Sequence, residues 1–288
     1  MSDYGDFPDP DTTEYDDLAE DTEGWEKYTP LVTRNVFYPI CLGEVLNQRY
    51  RLEHKLGHGG YSTVWMAHDL QNRTDVALKI LAEGLGENEY HMQKEIVKAV
   101  RDISHLITYL DTFILSGRPD GNDHRVLVYS LHGPSLSMYT VQKKSMITRM
   151  SAARQLLQAL KSLHNSGIVH HDLNPGNCMW GMISLNQLDR DVKYKILGRP
   201  RKLAIDHTWR PGELVKAVDI PEDLCTDAFY LGDFGLSLKL GTSVTESGFP
   251  PARYRSPDRD FNQPPSAACD IWSYMSIANA IEGPLLQP

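Results

Sequence analysis

Cysteine is scarce in this chain. Its 288 residues include only Cys41, Cys178, Cys225 and Cys269. They show neither the close spacing of a zinc site nor a disulfide framework, which argues for a reducing compartment. Long apolar runs are missing too, and none approaches the roughly 20 residues that a membrane-spanning helix needs. The N-terminus lacks a basic stretch followed by an apolar one, so no secretory signal is visible. The expectation is a chain of the cytoplasm, the nucleus or both, with no membrane partner. Positive charge is absent from residues 1–26, which carry eleven Asp or Glu and no Lys or Arg. Without them the net charge moves from −9 to +2, so the acidity belongs to the leader and the body is near neutral. With so few apolar residues, 1–36 reads as an acidic disordered tail. Contact with a basic partner stays open as its alternative role.

What is present is a series of short motifs in a fixed order. Leu56-Gly57-His58-Gly59-Gly60-Tyr61-Ser62 reads as a glycine-rich strand-turn-strand. Glycines allow phosphate oxygens to approach the backbone closely. Val76-Ala77-Leu78-Lys79 follows as a short apolar strand ending in one lysine. A cation in that setting needs an anion, such as a phosphate or a helix carboxylate. Glu95, between Met92 and Ile96 on a predicted helix, is the candidate carboxylate. Further on come His170-His171-Asp172-Leu173-Asn174-Pro175-Gly176-Asn177 and Asp233-Phe234-Gly235. An Asp and an Asn five residues apart, with a second Asp downstream, can hold two magnesium ions and orient a hydroxyl for attack on ATP. Each motif alone is weak, and their order makes the set specific.

In that order the chain resembles a eukaryotic protein kinase. More narrowly it resembles the SR-protein kinase family, in the form common in filamentous fungi. The narrower resemblance rests on Tyr38-Pro39-Ile40, Gly43-Glu44, Arg49-Tyr50, Lys55-Leu56-Gly57, Tyr61-Ser62-Thr63-Val64-Trp65, Gly133-Pro134-Ser135-Leu136 and Tyr254-Arg255-Ser256. It implies an α+β fold of two lobes, a small β-rich one over 37–130 and a larger helical one over 131–288. It implies ATP and Mg²⁺ as cofactors, with Lys79, Asp172 and Asn174 at the catalytic positions and Asn177 and Asp233 as metal ligands. Nucleotide contacts are implied for Leu56, Gly57, His58, Gly59, Gly60, Tyr61, Ser62, Val64, Ala77, Lys79, Glu95, Tyr129, Leu131 and Met179. The implied partner is a protein substrate presenting Ser or Thr, arginine-rich proteins included. Neither direct nucleic-acid binding nor oligomerisation is expected.

The pattern of apolar residues predicts strands over 49–54, 63–68, 75–80, 106–115 and 125–130, and a helix over 87–103. A second helix is predicted over 147–165, with Met150, Ala153, Leu156, Leu157, Leu160 and Leu163 on its buried face. Residues 185–224 read as an insertion looping from the large lobe, with Arg199, Arg201 and Lys202 as a solvated basic run. Asp270-Ile271-Trp272-Ser273 opens a helix that is apolar on nearly every side. The sequence stops soon after it, so the later helices of the family's large lobe are read as truncated.

Two positions depart from the usual kinase pattern. His171 stands where most members have an arginine that docks a phosphorylated activation loop, which implies activity independent of that phosphorylation. Asn174 stands where most Ser/Thr kinases have a lysine, and losing that charge should cost about 2–4 kcal/mol of transition-state stabilisation. Two readings stay open: an active Ser/Thr protein kinase, and a catalytically weak kinase-fold protein that binds nucleotide or protein partners.

Overall fold

The computed structural model describes residues 22–206, 208–241, 250–261 and 263–282. In chain order it has strands β1 (Val45–Leu46), β2 (Tyr50–His58), β3 (Ser62–Asp69) and β4 (Thr74–Leu81), helix α1 (Glu87–Ala99), and strands β5 (Asp111–Leu115) and β6 (His124–Ser130). Helices α2 (Met138–Lys143) and α3 (Met146–Asn165) follow, then β7 (Ile168–Val169), β8 (Cys178–Met182), α4 (Arg190–Leu197), β9 (Lys202–Ala204) and β10 (Glu213–Val215). Strands β11 (Cys225–Leu231) and β12 (Leu238–Lys239) precede helices α5 (Pro257–Asp260) and α6 (Ala267–Glu282). The described residues form two compact units. One holds 22–86, 109–131 and 184–221, and the other holds 87–108, 132–183 and 222–282.

The first unit is built on a six-stranded antiparallel sheet in the order β1-β2-β3-β4-β6-β5. Its strands are rich in β-branched and aromatic residues, which suit a pleated surface. Leu52, Trp65, Leu78, Val126 and Val128 pack in its core, and Tyr50 stacks on Phe113 with ring centres 5.5 Å apart. Arg49 ties the sheet edge together by donating two bonds to the Asp69 carboxylate, at 2.9 and 2.7 Å, and one to Asp111 at 2.9 Å. The strand expected over 106–115 is confined to 111–115, and the helix expected to reach 103 ends at Ala99.

Two expectations are corrected in this unit. The insertion was expected to loop from the large lobe, yet 184–221 belongs with the sheet. Val215 on β10 joins the sheet's core, and Leu214 packs with Tyr28, Phe37 and Ala82. Insertion Lys202 pairs with Glu213 at 2.7 Å and is therefore not part of a free basic run. The acidic tail likewise does not extend to residue 36. Residues 25–28 form a 3-10 helix, Tyr28 and Phe37 are buried, and Glu23 is buried against Lys55. Composition hid this because the stretch gains its apolar contacts from distant β10. The expectation for residues 1–21 falls outside the described residues.

The second unit is helical. Ser145 caps α3 by accepting the Thr148 N–H at 3.1 Å, and Gly167, at φ +70°, ends the turn after it. Ala152, Ala153, Leu156, Ala159, Leu160 and Leu163 are the buried residues of α3. Met150 and Leu157 are 50% and 42% exposed, so the buried face is rotated away from the one expected. Small alanines face the interior because β11 and α6 pack closely there.

Candidate active site

Within the strand-rich unit, β2 and β3 meet at Gly57–Tyr61. The Gly59 N–H donates to the Ser62 carbonyl at 2.8 Å. A Cβ added to Gly57 or Gly60 would meet nothing within 4 Å, and one on Gly59 only Ser62 Oγ at 3.9 Å. None of the three has a left-handed φ. Neither backbone conformation nor internal packing therefore demands glycine here. What glycine leaves is room for a ligand's oxygens beside the backbone N–H groups, so the loop fits a polyphosphate. Leu56 is half-buried, His58 and Tyr61 are exposed, and Ser62 is buried. Val64 lies opposite Lys79 in the β3–β4 register, and Ala77 opposite Tyr129 between β4 and β6. Lys79 is half-buried, and Leu131 follows β6 directly.

Within the helical unit, the segment 170–177 is held by one acid that sequence reasoning passed over. Asp270 of α6, 1% exposed, accepts the His170 and His171 backbone N–H groups at 2.8 and 2.9 Å and sits 2.8 Å from His164 Nε2. The His170 ring contacts the Gly232 carbonyl at 3.0 Å and packs edge-on against Phe234. Ser237 Oγ donates to the His170 carbonyl at 3.0 Å. His171 and Asp233 both adopt left-handed φ, +67° and +60°, a strained choice for non-glycine residues that concentrates at working sites.

Asp172 is the focus of this loop. Its carboxylate accepts Asn177 Nδ2 at 3.0 Å and Asn174 Nδ2 at 3.2 Å. Both amides also donate to its carbonyl, at 2.8 and 3.0 Å. Burial pushes the Asp172 pKa up, and the Asp233 carboxylate adds to the rise, while His170 and the two amides oppose it. Asn174 Oδ1 accepts the Gly176 N–H at 2.9 Å. Asn174 is thus a brace on Asp172, and it brings no positive charge. Asn177 is buried with its amide nitrogen turned to Asp172, which leaves its oxygen as the group that could face a cation. Met179 is half-buried on β8.

Among the described residues no cluster of three His, Cys, Asp or Glu could hold a metal. The donor set of Asn177 and Asp233, two oxygen ligands from the protein, fits a magnesium ion that takes its remaining ligands from phosphate and water.

Glu95 requires correction. It sits on the outer side of α1, where Lys239 pairs with its carboxylate and holds its pKa down. The buried acid of α1 is Glu89, six residues earlier, with Gln93 Nε2 donating to it at 3.3 Å. It lies beside the Asp233–Gly235 turn, because a Cβ on Gly235 would come within 3.7 Å of Glu89 Oε2 and 3.3 Å of Asp233 Oδ1. Asn88 Nδ2 donates to the Gly235 carbonyl at 2.6 Å. Glu89, Gln93, Ile96 and Val100 are all buried and fall at i, i+4, i+7 and i+11, the spacing of one helical face. That spacing was in the sequence, masked by the two polar members of the stripe.

The family model for the protein kinase domain matches residues 50–282. A serine/threonine protein kinase of Aspergillus fumigatus is 28% identical over 262 residues, which cover 86% of this chain and 61% of the relative. Protein kinase dsk1 of Schizosaccharomyces pombe is 32% identical over 157 residues, 50% of this chain and 28% of that protein. SRSF protein kinase 3 of Mus musculus is 29% identical over 156 residues, 50% of this chain and 27% of that protein. A solved kinase domain superposes with a TM-score of 0.60 at 17% identity, covering 85% of this chain and 67% of that one. The chain thus spans about three-fifths of the length of the Aspergillus relative. With its motifs in family order and the matching model spanning most of its length, the chain belongs to the protein kinase domain family.

Proposed function

We propose that the chain is a Ser/Thr protein kinase that moves the γ-phosphoryl group of Mg-ATP to a protein hydroxyl. The observation that carries this is Asp172, a carboxylate fixed by Asn174 and Asn177 in a loop that Asp270 pins from behind. Such a carboxylate can accept and orient the proton of an attacking hydroxyl. Asn177 and Asp233 would hold the magnesium, whose charge offsets that developing on the phosphate oxygens. Lys79 and the Gly57–Ser62 backbone would hold the phosphates. By the likeness to kinases, Val64, Ala77, Tyr129, Leu131 and Met179 would each contribute contacts to the base. Protein substrates rich in arginine, and a place in the cytoplasm or nucleus, fit the likeness to SR-protein kinases.

The test is transfer of labelled phosphate to a generic basic protein. Asp172→Asn should lower turnover by about 10³-fold or more while leaving Mg-ATP affinity within about threefold, because Asp172 acts on the hydroxyl. Asp233→Ala should weaken both. Equal turnover in wild type and Asp172→Asn would sink the reading. A second reading, a weak kinase-fold binder, draws on one observation: Asn174 braces Asp172 without supplying a cation. Nucleotide binding with no transfer in the wild type would favour it.

A further inference from the structure

The strand that leads into the glycine loop is gripped from outside at three consecutive residues. Glu53, 1% exposed, accepts Lys193 Nζ of α4 at 3.2 Å. The His54 ring contacts the Gly198 carbonyl through Nε2 at 3.0 Å and packs edge-on against Tyr194, ring centres 5.1 Å apart. The Lys55 carbonyl accepts the Val218 N–H at 2.8 Å, and Lys55 bridges to Ala217 in a parallel β contact. The Lys55 ammonium is itself buried against Glu23. Gly57 follows two residues later. The same Lys193 ammonium, 2% exposed, also reaches Asp75 at 2.5 Å on β4, four residues before Lys79. Asp75 is further tied to the insertion by its backbone N–H, which donates to Asn186 Oδ1 at 2.7 Å. Its carboxylate also lies 2.8 Å from His68 Nδ1 on β3.

We infer that the 184–221 insertion is an internal clamp on the nucleotide site, with Lys193 as its positioning residue. One ammonium bridges two buried carboxylates on the strands that carry the glycine loop and Lys79. The clamp thereby fixes the relation of β2 to β4 upstream of both phosphate-binding features. Lys193 touches no substrate and acts through Glu53 and Asp75. A buried cation between two acids does not lend itself to neutral replacement, since its loss takes a shared positive charge from two buried carboxylates and leaves Glu53 to Arg51 and Asp75 to His68. This inference rests on the kinase reading for its functional consequence and on geometry alone for the clamp.

The test compares Lys193→Met, Lys193→Arg, His54→Phe and, as control, Lys195→Met on the exposed side of α4. His54→Phe removes only the bond to Gly198 and keeps a ring against Tyr194, so it stays informative where Lys193→Met does not fold. Lys193→Met should raise the KM for ATP about tenfold or more with kcat within about twofold. His54→Phe should move it the same way by less, Lys193→Arg should recover most of the loss, and Lys195→Met should do nothing. Amide exchange over residues 56–63 should speed up in parallel in the protein without nucleotide. Unchanged KM and unchanged exchange in folded Lys193→Met and His54→Phe would overturn the clamp. So would a fall in melting temperature with kcat and KM untouched. Absence of nucleotide binding in the wild type would instead overturn the kinase reading, and the exchange comparison would still decide the clamp.

Discussion

Glu89 and Glu95 stand six residues apart on α1 in opposite surroundings. Glu89 is buried beside the Asp233–Gly235 turn, and Glu95 is held at the surface by Lys239. Glu89→Gln should therefore cut phosphate transfer about tenfold or more, while Glu95→Gln should stay within about twofold of wild type, as steady-state kinetics would record. The reverse order would restore the register first read from the sequence. A second residue-scale prediction concerns Asp69. Arg49 bonding, helped by the Gln71 and Asn72 backbone N–H groups, pulls its pKa from 3.8 to about 2. A carboxyl with a lowered folded pKa adds stability above its unfolded value, and loses it as pH falls through the folded one. The advantage, about 1–2 kcal/mol, should be whole above pH ~4 and gone near pH ~2. Urea midpoints of wild type and Asp69→Asn should differ at neutral pH and converge through that window.

At the scale of elements, α3 offers the sharpest test of packing. Leu156→Ala should cost about 2–5 kcal/mol, since it empties a fully buried position, whereas Leu157→Ala should change stability by under about 0.5 kcal/mol. Chemical denaturation of the two variants separates the observed face from the expected one. The existence of α3 was legible from its 3.6-residue rhythm, and so were β2, β3, β4 and β6 from alternation between turn residues. Its rotation was not, because Met150 and Leu157 are as apolar as Leu156, and only the closeness of β11 and α6 decides which face is inside. The glycine loop and the Asp172 and Asp233 motifs were legible because their chemistry sits in contiguous residues. Glu89, Asp270 and Lys193 were not, because each owes its role to partners far away in sequence. The same holds for the insertion, whose docking depends on one lysine meeting acids 140 and 118 residues away.

On the scale of the molecule, α6 joins two opposite characters in one helix. Ile277, Ala278 and Ile281 are buried in the helical unit, while Ile271, Trp272 and Met275 are 38%, 48% and 53% exposed and, at i, i+1 and i+4, share a face. An apolar stripe of this kind should bind a hydrophobic dye and promote association. Ile271→Glu with Met275→Glu should reduce dye binding and raise solubility with little change in melting temperature, and unchanged dye binding would show that the stripe is covered. The buried side of the same helix carries Asp270, which holds the backbone of His170 and His171 across 100 and 99 residues of chain. A ribosome releases those loop residues well before it releases their anchor, at a pace of about 5–20 residues per second. For some seconds the nascent polypeptide therefore holds every residue of the 170–177 loop without the carboxylate that shapes it. The shape of the 170–177 loop is thus settled only once α6 has emerged to meet it.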